Sequence, residues 1–286
     1  MMQTTESFAN SVPVVMYHHV SSSGGPLTIS PENFESQIKW LAINGYVTLT
    51  ADEFARFLRG APMPCRSVLL TFDDGYLDNY VHAHPILLRY GLNAVMFLVT
   101  GRVHDGALRA IDALRAEPAH THQACEHLLY NGRADEVTVR WSEVEVMRAA
   151  GTFEFHSHTH SHLRWDRLCD DGIGKYQQIR EDIEQSKSIL AQRLGAASRH
   201  LCWPEGYFDA DYTDAARAAG FEYLYTTQNL RRNVAGGDTA RIQRMVDNGK
   251  DATWLAQKLR RYQDPLWGRA YYWFKRARHL RGEAWS

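Results

Sequence analysis

Four histidines, His156, His158, His160 and His162, stand within seven residues in the stretch FHSHTHSHLRW. Far upstream, LLTFDDGYLDNY sets two carboxylates side by side, Asp73 and Asp74, directly after an apolar run. Imidazole nitrogens and carboxylate oxygens are the donor set of a catalytic divalent metal, which takes three protein ligands and keeps a position for water. The histidine spacing allows two geometries. In an extended strand, positions two apart share a face, so all four would point one way. In a tight turn, residues four apart meet, pairing His156 with His160 and His158 with His162. His158 and His162 can hold one ion together, and one aspartate from the other segment completes a two-histidine, one-carboxylate set. Asp-Asp-Gly is also ordinary turn chemistry. Against that reading, carboxylates at the edge of an apolar core cost roughly several kcal/mol unless a cation meets them. A metalloprotease HExxH site is excluded, because Thr159 stands where its glutamate would be. A histidine sponge for nickel or copper would need no paired aspartates.

Groups so far apart must be gathered by the fold. Short apolar, β-branched runs at 13–17, 46–50, 67–72, 94–99, 151–155, 200–203, 221–226 and 241–246 read as strands. Between them, helical periodicity runs over about 31–44, 51–59, 78–90, 141–150, 175–194, 209–219 and 251–262. Alternation of this kind predicts an α/β protein with a mainly parallel sheet closed into a barrel-like wheel. The polar residues then sit at strand exits: His18 and His19 after PVVMY, Asp73 and Asp74 after SVLLTF, the histidines after GTFEF, and Trp203-Pro204-Glu205-Gly206 after HLC. In parallel barrels those exits share one rim, where active sites form. Consecutive strand residues face opposite sides, so the two aspartates are expected to have different neighbours and different roles.

At 286 residues the chain suits one large domain or two small ones. A net charge of -1 excludes a role in coating nucleic acid. Cys65, Cys125, Cys169 and Cys202 lie far apart, which excludes a disulfide framework or a cysteine zinc site. The first residues lack a basic start and an apolar run, and the expected location is the cytoplasm, at most peripheral on the inner membrane. The catalytic part is expected over 12–250, broken by a polar insertion at 102–140 that carries one or two short helices over one end of the barrel. Residues 251–286 form a helix and a basic, aromatic tail, with eight Lys or Arg against two acidic residues from Ala252 onward. That tail fits an amphipathic element on anionic lipid. It fits equally a helix packing its Trp and Tyr on the domain.

LTFDDG, a downstream strand followed by SHTHSH, and then a WPEG loop together resemble the polysaccharide deacetylases of carbohydrate esterase family 4. The opening VPVVMYHHV resembles the subgroup acting on poly-N-acetylglucosamine and related envelope glycans. The resemblance runs from about residue 12 to 246 and implies a distorted (β/α)7-type barrel. It also implies a divalent metal, zinc or else cobalt or nickel, and hydrolysis of N-acetyl groups from an N-acetylhexosamine-containing glycan; with the expected cytoplasmic location, a lipid-linked glycan precursor is the other expected substrate. By position it implies Asp73 as general base, Asp74, His158 and His162 as metal ligands, and Thr159 as a brace for the histidine loop. Glu205 stands where the family has a tyrosine whose backbone N–H helps bind the oxyanion. Two family features are missing: Cys202 occupies the place of an arginine, and RIQRMVDNGKD has no Leu-x-His acid. His18 is therefore the candidate for the acid or for substrate contact, and His19 is expected to be structural. His156 and His160 are expected to support the ligands or face solvent. Trp203, Pro204 and Tyr76 are expected to line the sugar pocket, with Trp165 on weaker grounds. The rival from another class is a catalytically silent glycan-binding protein that keeps fold and metal.

Overall fold

The computed structural model describes residues 8–280. Its seven principal strands are β1 (Val14–Tyr17), β2 (Ser67–Phe72), β3 (Ala94–Leu98), β4 (Phe153–Ser157), β5 (His200–Cys202), β6 (Tyr223–Tyr225) and β7 (Met245–Val246). They pair, all parallel, in the order β7-β1-β2-β3-β4-β5-β6. A parallel bridge from Tyr225 to Ile242 brings the β6 edge back toward β7. This is the barrel-like wheel that the sequence pattern predicts, in the distorted (β/α) form that the family resemblance implies. The distortion has a local cause. Arg244 gives its backbone N–H to Gln228 and Gln243 gives its own to Asn233, so the run expected over 241–246 pairs as a strand only at its last two residues. The run expected at 46–50 shrinks likewise, to Val47–Thr48 beside β2.

Helices cover the ring: α1 (Pro31–Ile43), α2 (Ala51–Leu58), α3 (His84–Tyr90), α4 (His122–Tyr130), α5 (Trp141–Ala149), α6 (Gly172–Leu194), α7 (Ala210–Ala218), α8 (Ala252–Gln263) and α9 (Trp267–Leu280). Side-chain caps fix several starts. Ser30 accepts from the Asn33 N–H ahead of Pro31, and Thr50 and Glu53 form a reciprocal capping box. Strand alternation divides the core in two. Val15, Tyr17, Val68, Leu70, Phe72, Met96 and Phe153 pack outward under α1 and its neighbours. Val14, Leu69, Val95, Phe97 and Tyr225 fill the barrel, where Phe54, Phe57 and Leu58 of α2 join them. Each large apolar side chain so buried contributes roughly 1.5–3 kcal/mol.

The 102–140 insertion holds one turn of helix at Ile111–Arg115 and then α4. Arg109 pins it with a fork of 2.6 and 2.7 Å to the buried Glu143 of α5. Leu255 and Leu259 of α8, and Tyr272 of α9, join the outer core beneath α1. The tail residues 281–286 lie outside the described residues. Among the described residues no helix is long and apolar enough to cross a membrane.

Candidate metal centre

β2 delivers the first two functional groups by parity. Leu69 and Thr71 point into the barrel, and Asp73, the next residue of that set, continues inward at the rim. Asp74 then turns back, with a φ of 70°, so both carboxylates border one cavity of about 190 Å³. Gly75 follows at φ 72°. A Cβ there would meet the Leu98 side chain at 2.7 Å, so the turn packs directly on the end of β3 only because the residue is glycine.

The histidine run takes both of its possible geometries in sequence. β4 carries the extended form through His156 to Ser157; beyond it, Thr159 and His162 adopt positive φ values of 66° and 61°. The loop is held from below. Asp182 on α6 accepts the backbone N–H groups of His160 and Ser161 at 2.8 Å, the Ser161 hydroxyl at 2.6 Å and the Trp165 indole N–H at 2.9 Å. Thr159 accepts the His162 N–H at 3.0 Å and gives its own N–H to Ser157, which is the bracing part expected of it. Replacing Asp182 by Ala is expected to weaken metal affinity roughly tenfold, read by chelator competition. Unchanged affinity in a folded variant would show that the loop holds its shape without Asp182.

The result is a compact triad. Asp74 Oδ1 lies 3.2 Å from His162 Nε2 and 3.5 Å from His158 Nε2. Ligand atoms each about 2.0–2.2 Å from one ion at the tetrahedral angle stand about 3.4 Å apart, so these separations fit a shared cation. The rest of the surroundings agree. Asp74 Oδ1 is buried and has no hydrogen-bond partner, a costly state without a cation. His158 donates Nδ1–H to the Cys202 carbonyl at 2.8 Å, which fixes the tautomer with the Nε2 lone pair toward Asp74. Burial pushes the His162 imidazole down to about 3 despite the opposing pull of Asp74, keeping it neutral as coordination requires. Burial would raise the Asp74 carboxyl, but His162, His158, His18 and Arg102 outweigh it and hold it below the ordinary value.

Asp73 has a different partner. Arg244, wholly buried, grips it with two bonds of 2.7 and 2.8 Å. Burial alone would raise this carboxyl, but Arg244 first, then His158 and His18, more than offset it and keep it ionised. Cys202, at the position where the family arginine is missing, places Sγ 3.7 Å from each Asp73 oxygen. The arginine thus comes from another strand. Its sign was present in RIQRMV: Ile242 faces the barrel interior, so a charge two residues later faces inward too and needs a carboxylate.

His18 lies 3.8 Å from Asp73 and borders the cavity, and burial lowers its imidazole despite Asp73. His19 is buried against Asp78 at 2.6 Å and stacks on Tyr76 at 3.8 Å. Glu205 borders the cavity with a φ of 54°, while its carboxylate is drawn away by Arg164 at 2.6 Å. Trp203 borders the cavity as well, yet it is completely buried and packs on Tyr212. Two expected pocket residues fall elsewhere. Tyr76 is buried under His19 with its hydroxyl on Glu126, and Pro204 sits beneath the rim; neither lines the cavity. Trp165 serves Asp182 instead of a sugar. His156 points into the barrel one rung below His158, bonded to Ser198, and His160 bonds Thr100. Sequence reasoning missed His122 and Glu126, which α4 brings to the cavity wall.

A family model described as polysaccharide deacetylase matches residues 60–224, more than half of the chain. A Bacillus subtilis (strain 168) relative carrying the polysaccharide deacetylase name, YxkH, is 28% identical over 218 residues, covering 76% of this chain and 64% of its own. The poly-beta-1,6-N-acetyl-D-glucosamine N-deacetylase of Staphylococcus aureus (strain MRSA252) is 25% identical over 203 residues, 70% of this chain and 61% of its own. The chain therefore spans less than two thirds of the length of these curated relatives. Two solved structures share the fold. Streptococcus pyogenes deacetylase PplD, in complex with acetate, has a TM-score of 0.70 at 20% identity, covering 90% of this chain and 100% of its own. IcaB from Ammonifex degensii has a TM-score of 0.67 at 22% identity, covering 88% and 98%. With the matched segment containing the aspartate pair and both histidines of the triad, this chain belongs to the polysaccharide deacetylase family.

Proposed function

We propose that the chain is a metal-dependent hydrolase that removes N-acetyl groups from a glycan built on N-acetylhexosamine. The observation that carries the reading is the orphaned Asp74 oxygen between two imidazoles, beside a second carboxylate kept ionised by Arg244. The name of the Staphylococcus aureus relative supports the substrate class.

A divalent ion held by Asp74, His158 and His162 would supply Lewis acidity, polarising an amide carbonyl and lowering the pKa of water. Zinc suits two imidazoles and a carboxylate, and cobalt or nickel can take the same set. Asp73 accepts the proton of the attacking water, its orientation fixed by the two-pronged Arg244 contact. The Glu205 backbone N–H steadies the charge that develops on the carbonyl oxygen. His18 gives a proton to the departing amine, so that water and amide leave as acetate and free amine. The silent-binder rival rests on the missing arginine and histidine. Arg244 supplies the first, and His18, 3.8 Å from Asp73 at the cavity wall, is the group we assign to the second.

α4 of the insertion walls one side of the cavity with His122 and Glu126, which favours a short or lipid-linked glycan over a long chain threading through. The test is acetate release from N-acetylglucosamine oligomers of increasing length. Activity is expected to vanish on chelation, return with zinc or cobalt, and stop rising after the first few sugars. A folded, metal-loaded protein releasing no acetate from any oligomer would overturn the hydrolase and leave the binder.

A further inference from the structure

α9 carries two apolar faces, only one of which the protein uses. Gly268 and Tyr272 are buried, with Tyr272 packed edge-on against Tyr262 of α8 at 5.3 Å. On the other side, Leu266, Ala270, Trp273, Ala277 and Leu280 recur at alternating four- and three-residue steps, the spacing of a single helical face. Trp267 and Phe274 lie beside them. The large members of this arc, Leu266, Trp267, Trp273, Phe274 and Leu280, are 59–77% exposed. Exposed apolar patches of this kind mark an interaction surface.

Charge identifies the partner. No acidic residue occurs between Trp267 and Leu280. Arg269 and Arg276 run along one border of the apolar arc, and Arg278 lies along the opposite border. The C-terminal end of the helix, through Arg276, His279 and Leu280, also borders a cavity of about 380 Å³ lined by Arg231, Arg232 and Arg241. The one carboxylate in that lining, Asp238, stands 3.9 Å from Arg241. Aromatic and leucine side chains between arginine borders suit a bilayer interface with anionic headgroups. A second copy of the chain is disfavoured by the same arrangement, because twofold pairing of two such arcs would bring arginine borders against each other.

We propose that α9 lies in the interface of an anionic membrane, its Trp and Phe arc among the acyl chains and lipid phosphates at Arg231, Arg241 and Arg276. Thr227 borders the catalytic cavity and Gln228 the arginine-lined one, so a docked lipid surface adjoins the loop that walls the site. This docking stands independently of amide hydrolysis, and its test does not use turnover to read binding.

The full chain is sedimented with vesicles of phosphatidylcholine alone or mixed with phosphatidylglycerol. It is expected to pellet only with the mixed vesicles, and less so as salt rises. Trp267→Ser with Trp273→Ser, and separately Arg231→Gln with Arg241→Gln and Arg276→Gln, should each lower the bound fraction at least about tenfold. The same variants should keep the wild-type circular dichroism spectrum and oligomer deacetylation. Failure to pellet with phosphatidylglycerol vesicles would overturn the proposal. So would equal binding to phosphatidylcholine, or a dimer in sedimentation equilibrium that Trp273→Ser dissociates without any lipid binding. Release by inorganic phosphate, with the tryptophan variant still bound, would reassign the arginines to a free-anion site and overturn it too.

Discussion

Asp73→Asn is expected to lower acetate release by roughly 10²–10⁴-fold, the usual contribution of a positioned general base. The bound metal should stay, because Asp74 and not Asp73 stands between His158 and His162. The amide keeps the shape of the side chain and one acceptor for Arg244, so the cavity survives while the proton acceptor is lost. Metal content and activity measured on the same preparation check this. A variant that retains its metal and still turns over within a few-fold of wild type would remove Asp73 from the mechanism. One that loses metal and activity together would mean that the two aspartates share the ion.

Arg244→Met should damage both stability and activity. The guanidinium and Asp73 are both buried, and deleting one partner of a buried pair costs about 3–5 kcal/mol because the other charge is stranded. For a chain of this length that is a drop in Tm of about 5–8 °C. The Asp73 carboxyl, held down chiefly by Arg244 against its burial, should rise once the arginine is gone. A base with a raised pKa is ionised only at higher pH, so the acid limb of the activity profile should move upward. In the wild type the pair contributes stability above the free aspartate value of about 3.9, and that contribution is lost as pH falls through the lower native value. The double variant Asp73→Asn with Arg244→Met should recover stability relative to Arg244→Met alone, since neither charge is stranded, yet remain inactive. Thermal melts alongside a pH–rate profile decide the matter. An unchanged Tm with an unshifted acid limb would show that Asp73 needs no counter-ion.

Much of this molecule was legible in its sequence because its regularities are local. Apolar runs of β-branched residues, caps such as Ser30 and Thr50, and polar clusters at strand exits each follow from neighbours in the chain. They were enough to anticipate a parallel barrel with one functional rim and to bring one of the two aspartates to His158 and His162; that it is Asp74 was implied only by the family resemblance. What escaped depends on contacts between distant segments. Tyr76 follows the aspartates in sequence, but the insertion places Glu126 over its hydroxyl and the exit of β1 places His19 over its ring. Trp203 borders the cavity with no exposed surface, because α7 supplies Tyr212 to cover it. Arg244 was hidden by the expectation that a missing arginine must be sought where Cys202 stands.

The arginine immediately before the last strand, reaching an aspartate 171 positions earlier, ties completion of the site to closure of the barrel. All three groups of the triad are synthesised by residue 162, but the Asp182 carboxylate that shapes their loop and the Cys202 carbonyl that orients His158 follow later. The proton acceptor gains its counter-charge only when the final strand slots in beside the first. In the proposed mechanism the base and its counter-ion are therefore complete only once the ring has closed.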